Sequence, residues 1–587
     1  MWNAKDRLMP GVRRVVGVWG LFLCAVALLC GCGRVAVPDA EREAQTFYGT
    51  STRLRSMDPV QAGDVSSILA VSRVYEGLYR YDYAARPYRL ISQLAEGLPE
   101  VSEDGCAYTI RLREGVRFQD DPCFAKTGGK GRAVTAEDVL YSIKRVADVK
   151  TGSSGFWAFR GKILGLDAFR DGSASSEITD YDAPVEGLRL LDERTLQIRM
   201  AQPYPQLLWI LAMPYAFAVP REAVEYYGDA FSSHPVGSGP YRLISWVRNY
   251  RLEYDANPDW CSAPGIAAQV EERPQRLVYY VMDDSSTRWL AFLSGQLDLY
   301  ADIARDNWDV IFAEDGNINP LLKERGIRDH HISGLNVYYI GLNMSDPVLG
   351  ENKALRQALS CAFNSQDWVG FYRNRIMRAT GPIPPGVAGQ VDDTPYPFDL
   401  ERARTLLAEA GYPEGIDPAT GQRLVLTLEL GATDSEMRES TELFVDFMDK
   451  LGVVIKPSYN NKPALFKKIE KRQAQMFRLS WFADYPDGQN FLQLFYGPNE
   501  SPGPNRANYK NKAFDQLYRR IATMQDSPDR TALYEEMGRI IMEDCPWIFM
   551  HYPVDYSLSR QRLEGYLPHD FPYGMECFYR LNSPHGD

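Results

Sequence analysis

The chain has 587 residues, 45% of them hydrophobic and 24% charged. That mix suits folded globular domains, and the length exceeds what one hydrophobic core supports, so two or three domains are expected. A net charge of −12, from 65 basic and 77 acidic residues, argues against nucleic acid as the main partner.

The N-terminus carries the first strong signal. Lys5, Arg7, Arg13 and Arg14 form a basic region, and Val15 to Leu29 is an uncharged apolar run of 15 residues. Such a run is short for a bilayer span of about 20 residues and suits the core of a secretory signal. It ends in "LCGC", residues 29–32. This resembles a bacterial lipobox, which implies cleavage before Cys32 and lipidation of its sulfur; an uncleaved anchor is the alternative. Cleavage removes four positive charges and one negative, taking −12 to −15. Two acyl chains on one cysteine give the double hydrophobic signal that stable anchoring needs.

Further along, "AYTIRLREGVRF" (107–118) alternates Tyr108, Ile110 and Leu112 with polar residues, the pattern of a half-buried strand. "TAEDVLYSIKRVAD" (135–148) begins like a capping box, with Thr135 as N-cap and Asp138 three residues on. "RLVYYVMD" and "NVYYIGLNM" are rich in Val, Ile and Tyr and predict strands. "NKALRQALSCAF" predicts a helix capped by Asn352. "FDLERARTLLAEAGYP" predicts another, capped by Asp399, with Leu400, Ala403, Leu407 and Ala410 on one face and Gly411 and Pro413 at its end. "RLVLTLEL" is a further strand. From about residue 320 the elements alternate in the α/β manner.

Several chemistries lack their motifs. There is no P-loop, no dinucleotide fingerprint, no H-E-x-x-H and no G-x-S-x-G. No cofactor is therefore expected. The chain holds six histidines, clustered only at His330-His331, and neighbours on a strand point to opposite faces, so no metal site is expected there. Six cysteines remain after the signal and Cys32 are set aside, with no C-x-x-C among them. Cys106 and Cys123 flank a strand-like segment and could bridge; free thiols are the alternative. In "FRLSWFADYPDGQNFL" (477–492), Arg478, Trp481, Asp484, Tyr485, Asp487 and Phe491 crowd into one short span. Its residues alone allow an acid–base site through Asp484 and Asp487, an Arg478–Asp484 ion pair, or a cradle for a ligand charged at both ends.

Six phrases, in order, resemble the bacterial extracellular solute-binding proteins of family 5, the oligopeptide- and dipeptide-binding components of ABC importers. They are "RSMDPVQAGDVSSILAVSRVYEGLYRYD" (55–82), "AYTIRLREGVRFQD" with "VTAEDVLYSIKR", "SHPVGSGPYRLISW" (233–246), "LSGQLDL" (293–299), "YYIGLNMSDPVLGENKALRQALSCAFN" (338–364) and "RLSWFADYPDGQNFLQLFYG" (478–497). The resemblance implies an α/β, two-lobed periplasmic-binding-protein fold of class II type with an additional third domain. Its expected parts are a signal peptide (1–31), a lipidated tether (32–42), a discontinuous lobe I (43–89, 232–329 and 549–587), an additional domain (90–231) and lobe II (330–548). It implies a non-enzymatic, monomeric receptor outside the cytoplasmic membrane that captures short peptides and hands them to a permease with its ATPases. A different cargo on the same fold, such as nickel chelate, haem or oligosaccharide, is the alternative.

In the oligopeptide-binding members the pattern R-x-x-W-x-A-D lies in the cleft, and Arg478, Trp481, Ala483 and Asp484 match it. The resemblance implies that Asp484 pairs with the peptide α-ammonium, that Arg478 faces the carboxylate of some ligands, and that Trp481 lines a side-chain pocket. Tyr485 is a further candidate, though packing is the plainer role for it and Phe491. A water-excluding site for a zwitterion must offer a fixed charge to each end or leave one desolvated, and the planar fork of Arg suits a carboxylate.

Overall fold

The computed structural model describes residues 44–582, apart from 302, 305, 306, 314, 315 and 374. The signal segment and the lipidation candidate Cys32 lie outside the described residues. Among those described, no helix is long and apolar enough to cross a membrane.

Among the described residues, three larger sheets organise the chain beside two small two-stranded ones. The first runs Thr46–Ser51, Arg276–Val281, Arg251–Ala256 and Tyr241–Val247 in spatial order, so its opening strand pairs in parallel with one far along the sequence. The second is antiparallel and lies wholly within the intervening stretch: Glu100–Val101, Ala107–Arg111, Thr195–Arg199 and Leu188–Asp192. The third and largest runs Leu299–Tyr300, Trp547–Arg560, Asn336–Leu342, Met476–Phe482, Val425–Leu430 and Val454–Tyr459, with Ile327–Ser333 and Ile376–Arg378 also pairing along Trp547–Arg560.

The local patterns form the elements they predict. Tyr108 and Ile110 are buried on Ala107–Arg111. The helix Ala136–Ala147 starts at Thr135, whose backbone N–H donates to Asp138 Oδ2 at 2.8 Å. Asn352 Oδ1 accepts from Leu355 N at 3.0 Å at the head of Lys353–Ala362. Asp399 Oδ1 accepts from Arg402 N at 2.9 Å, and Leu400–Glu409 buries Ala403 and Leu407. Each cap satisfies an orphan N–H of a first turn.

The sequence blocks are bound to one another by buried charge. Asp58 caps the turn Pro59–Gln61 and takes Arg145 bidentately, Nη1 to Oδ1 at 2.9 Å and Nη2 to Oδ2 at 2.7 Å. Glu76 is buried and accepts from Ser238 Oγ at 2.9 Å and Trp260 Nε1 at 2.9 Å. This draws "YEGL" onto "PVGSGP", where a Cβ on Gly237 would stand 2.0 Å from Val74 O, so only glycine fits. Asp298 of "LSGQLDL" accepts from Tyr48 N at 2.8 Å and pairs with Arg562 at 3.0 Å. Arg73 pairs with Glu576 at 2.7 Å, and its guanidinium lies 3.8 Å from the centre of the Tyr279 ring. Removing one partner of such a buried pair costs about 3–5 kcal/mol, because the survivor is left charged and dry.

The strand Trp547–Arg560 contains residues 548 and 549, where lobe II was expected to end. Its first half pairs with Asn336–Leu342 and its second half with Ile327–Ser333 and Leu299–Tyr300. One unbroken strand thus carries the chain from one set of neighbours to the other. The strand Ile327–Ser333 likewise spans the border expected at 329–330.

Cys106 and Cys123 are free thiols, as are Cys261, Cys361, Cys545 and Cys577, so the bridge considered between the first two is absent. Cys106 Sγ instead contacts Asp104 O at 3.4 Å. His330 and His331 sit side by side on one strand. His330 Nε2 meets Ser559 Oγ at 2.8 Å, while the His331 ring packs against Tyr556. No group of metal-binding side chains occurs among the described residues.

Candidate functional site

The strand Met476–Phe482 is central to the site because it outruns one of its neighbours. Along one edge all seven residues pair with Asn336–Leu342. Along the other, Val425–Leu430 pairs only with Met476 and Phe477. Ala483 N donates to Leu335 O at 2.9 Å, so odd-numbered residues turn their backbone groups toward the paired edge. Arg478, Ser480 and Phe482 turn theirs the other way. The bridge between Glu429 and Phe477 takes the N–H of Arg478, and beyond it no strand pairs along this edge among the described residues, which leaves Ser480 and Phe482 on its open part. At about 3.3 Å per residue the open edge from 478 to 482 is about 13 Å long.

Asp484 stands just beyond the end of this edge. Asn490 holds it: Nδ2 donates to Asp484 Oδ2 at 3.1 Å, while Asn490 Oδ1 accepts from Asp484 N at 3.2 Å and from Trp481 Nε1 at 2.9 Å. Asn490 is wholly buried in the helix Gly488–Leu492. Asp484 Oδ1 makes no hydrogen bond among the described residues. The carboxyl is held above the usual aspartate range, chiefly by burial and against the opposing pull of Asn490 and Lys162. Its charge also reaches Tyr204, Tyr215 and Tyr573, and so is felt from three distant parts of the chain.

Lys162 donates to Tyr204 OH and to Ala158 O, each at 2.8 Å. Its Nζ lies 4.5 Å from the centre of the Tyr204 ring. Burial brings the ammonium down to about 8, with Asp484 pulling the other way. No ion pair joins Lys162 to Asp484.

Arg478 occupies a different environment. On the strand it alternates with Trp481, so the two side chains leave opposite faces of the sheet. Arg478 is buried against Ser440 Oγ at 2.7 Å and Tyr372 OH at 3.1 Å, and over the Trp368 ring at 5.2 Å. It has no carboxylate partner among the described residues. A cavity of about 420 Å³ opens beside it, walled by Tyr338, Tyr372, His551, Trp308 and Tyr556. Trp368 Nε1 donates to His551 Nδ1 at 3.1 Å, which places the ring proton on Nε2. Burial and the neighbouring Arg478 hold His551 well below the ordinary histidine range, so it is neutral.

Two readings of the segment are thereby corrected. Arg478 and Asp484 do not pair with one another; alternation and the end of the strand separate them. Asp487 is unavailable for acid–base work. Its carboxylate is buried, caps Gly488–Leu492 through Gln489 N at 2.8 Å, pairs with Arg530 Nη1 at 3.0 Å and accepts from Tyr534 OH at 2.6 Å. Tyr485 is also buried, with its hydroxyl on Gln489 Oε1 at 3.1 Å, and Phe491 is fully enclosed in the core. Sequence reasoning missed Lys162, Tyr204, Asn490, Tyr372 and His551. Only Asn490 left a trace, an amide inside the apolar helix "GQNFL".

The family model for bacterial extracellular solute-binding proteins, family 5 Middle, matches residues 89–503, well over half of the chain. The chain belongs to this family. Among its relatives, the di/tripeptide-binding protein 2 of Pseudomonas aeruginosa is 25% identical over 512 residues, covering 84% of this chain and 89% of that one. Heme-binding protein A of Haemophilus influenzae is 24% identical over 491 residues, 82% of each chain. The glutathione-binding protein of Salmonella typhimurium is 26% identical over 523 residues, 87% and 89%. The solved structure of HbpA2 from Haemophilus parasuis superposes with a TM-score of 0.76 at 24% identity, covering 92% of this chain and all of that one. The ABC transporter-associated periplasmic binding protein DppA from Helicobacter pylori, in complex with the peptide STSA, gives 0.64 at 23% identity, covering 91% and 97%. The fold is thus the two-lobed binding-protein fold of family 5. The chain is a substrate-binding protein of the ABC-importer type and not an enzyme.

Proposed function

We propose that this family 5 protein captures short peptides. The ligand backbone lies along the open edge from the Arg478 carbonyl through Ser480 to Phe482 as an added strand, and its α-ammonium meets Asp484. The observation that carries this reading is the juxtaposition itself: an unpaired strand edge ending at a half-buried carboxylate with an unused oxygen. Strand addition reads peptides with little regard to sequence, because the bonds go to the backbone. An extended tripeptide is about 10 Å long, which matches the open edge. Trp481, fixed through its indole N–H, offers a half-buried wall for a side chain. Arg478 supplies a positive group for the carboxyl end of ligands that reach around the strand, in a cavity whose wall also carries Asp434, Glu436 and Asp555.

In this reading the cleft closes by a hinge motion between lobes I and II, and the closed form delivers its cargo to the permease. The expected lobe borders, the monomeric state and the lipid anchor at Cys32 belong to the same proposal. Anchoring is tested by labelling with palmitate in the native host, where Cys32→Ser should abolish incorporation.

Calorimetry with a tripeptide and its N-acetyl derivative tests the cargo. The free peptide binds and the acetylated one does not; equal binding of both removes Asp484 from the ammonium role. Because relatives of similar identity are named for haem and for glutathione, both belong in the same titration series. Tight binding of haem with none of peptide would replace the proposal.

A further inference from the structure

Behind Asp484, remote segments of the chain meet at Leu335. The entry to the strand Asn336–Leu342 is bent tightly: Gly334 O accepts from Asn336 N at 2.8 Å. The regular ladder with Met476–Phe482 accordingly ends at the pair of Asn336 and Phe482. One further rung lies beyond it, from Ala483 N to Leu335 O at 2.9 Å, and Ala483 is joined directly to Asp484. Leu335 is buried, and its own N–H donates to Asp570 Oδ1 at 2.8 Å. The other oxygen of Asp570 meets Tyr88 OH. Arg86 lies 4.1 Å from the centre of the Tyr88 ring and donates to Pro568 O at 3.2 Å, which clasps the segment that bears Asp570. Both oxygens of Asp570 are thus spent on protein, whereas Asp484 keeps one unused.

We propose that Asp570 is a positioning residue for ligand capture: through Leu335 and Ala483 it fixes where the Asp484 carboxylate stands at the end of the open edge. Asp570 itself does not touch the ligand. The N–H and C=O of Leu335 lie in two rigid peptide units that share only its φ and ψ. Holding the N–H therefore aims the carbonyl, and the carbonyl holds Ala483. Without an acceptor at position 570 the N–H of a buried residue is left unpaired, and the bend satisfies it only by turning. The rung to Ala483 turns with it. Asp484 then keeps its contacts with Asn490, at 3.1 Å and 3.2 Å, as its remaining restraint. A binding group works when it is held within about 0.5 Å of its productive place, so a small turn at Leu335 is felt by the ligand.

This inference rests on the assignment of Asp484 to the ligand's ammonium, and the test separates the two. Calorimetry with Ala-Ala-Gly runs through a double-mutant cycle of Asp570→Ala and Asp484→Asn. Asp570→Ala alone should weaken binding about tenfold or more, as expected for loss of a hydrogen bond to a charged group. In the Asp484→Asn background the same change should cost less than about threefold, because the grip it positions is already gone. Asp570→Asn keeps an acceptor oxygen for Leu335 N and should stay within about threefold of wild type. Equal losses from Asp570→Ala in both backgrounds mark a general disruption and overturn the proposal, as does an unchanged affinity in Asp570→Ala. An Asp570→Asn as weak as Asp570→Ala overturns it too, since charge and not the bond to Leu335 would then matter. If Asp484→Asn alone leaves the affinity unchanged, it is the parent assignment of Asp484 that fails. Thermal unfolding of each variant confirms that the comparison is made on folded protein. Where Asp570→Ala does not fold, Asp570→Ser, whose hydroxyl stops short of Leu335, carries the same cycle.

Discussion

Asp484 and Lys162 feel one another's charge but form no ion pair, although Asp484 follows the strand Met476–Phe482 and Lys162 belongs to a distant part of the sequence. Neither charge is neutralised by a direct protein partner of opposite sign. Burial opposes both charges, so each weighs against the folded state. It ties the function of the site to a local cost in stability.

Asp484→Ala should weaken peptide binding by about 2–5 kcal/mol, the loss expected when a buried charge partner is truncated. Calorimetry reads this directly. Burial raises the carboxyl above its value in the unfolded chain, so folding opposes its ionisation. The penalty is present at neutral pH and disappears as pH falls through the raised value. Asp484→Asn should therefore raise, not lower, the melting temperature of the ligand-free protein at pH 7 while weakening binding. A fall in melting temperature would contradict the burial argument.

Lys162 behaves in the converse way. Its folded value is near 8 against 10.5 for the ordinary side chain. Its charge burdens the folded state fully below about pH 8, and the burden fades as pH rises toward 10.5. Denaturation of wild type and Lys162→Met across this interval should show the variant more stable at pH 7, with the difference shrinking above pH 8. A difference that grows with pH would mean that the ammonium is stabilised where it sits.

Asp487 should prove structural. Asp487→Ala leaves Arg530 buried without its one buried carboxylate partner, with only the exposed Asp526 beside it, and removes the cap of the helix that carries Asn490. A loss of about 3–5 kcal/mol in unfolding free energy is expected. Residual folded protein should bind peptide, more weakly to the extent that Asn490 shifts. Unchanged stability with abolished binding would instead place Asp487 on the ligand.

Arg478 is tested through the ligand. Arg478→Met should lower affinity about tenfold or more for peptides that reach the cavity with a free carboxyl end, and leave the corresponding amides unaffected. If acids and amides lose equally, Arg478 serves the fold by holding Tyr372 and Ser440.

Much of the fold was legible in short-range pattern, because helices and strands are fixed by contacts within a few residues. Thr135 with Asp138, Asn352 and Asp399 marked helix starts, and Tyr108 and Ile110 marked a strand's inner face. The partners of Asp58, Glu76 and Asp298 were not legible, since Arg145, Trp260 and Arg562 meet them only after the chain has crossed between sheets. Likewise, the partners of His330 and His331, Ser559 and Tyr556, come from a distant strand, and Cys106 and Cys123 remain free thiols.

The span 477–492 shows both sides of this division. Its residue types were enough to mark a place where opposite charges and aromatic rings concentrate, because composition survives folding unchanged. Which of them share a space was settled by strand alternation, by the early end of Val425–Leu430 and by the arrival of Lys162 and Tyr204 from elsewhere. Alternation sent Arg478 and Trp481 to opposite faces, Arg530 took Asp487 into the core, and Asn490 held Asp484 beyond the end of the strand, within the field of Lys162. Direction, burial and neighbouring charge are properties of packing between distant segments, and no stretch of sixteen residues holds them.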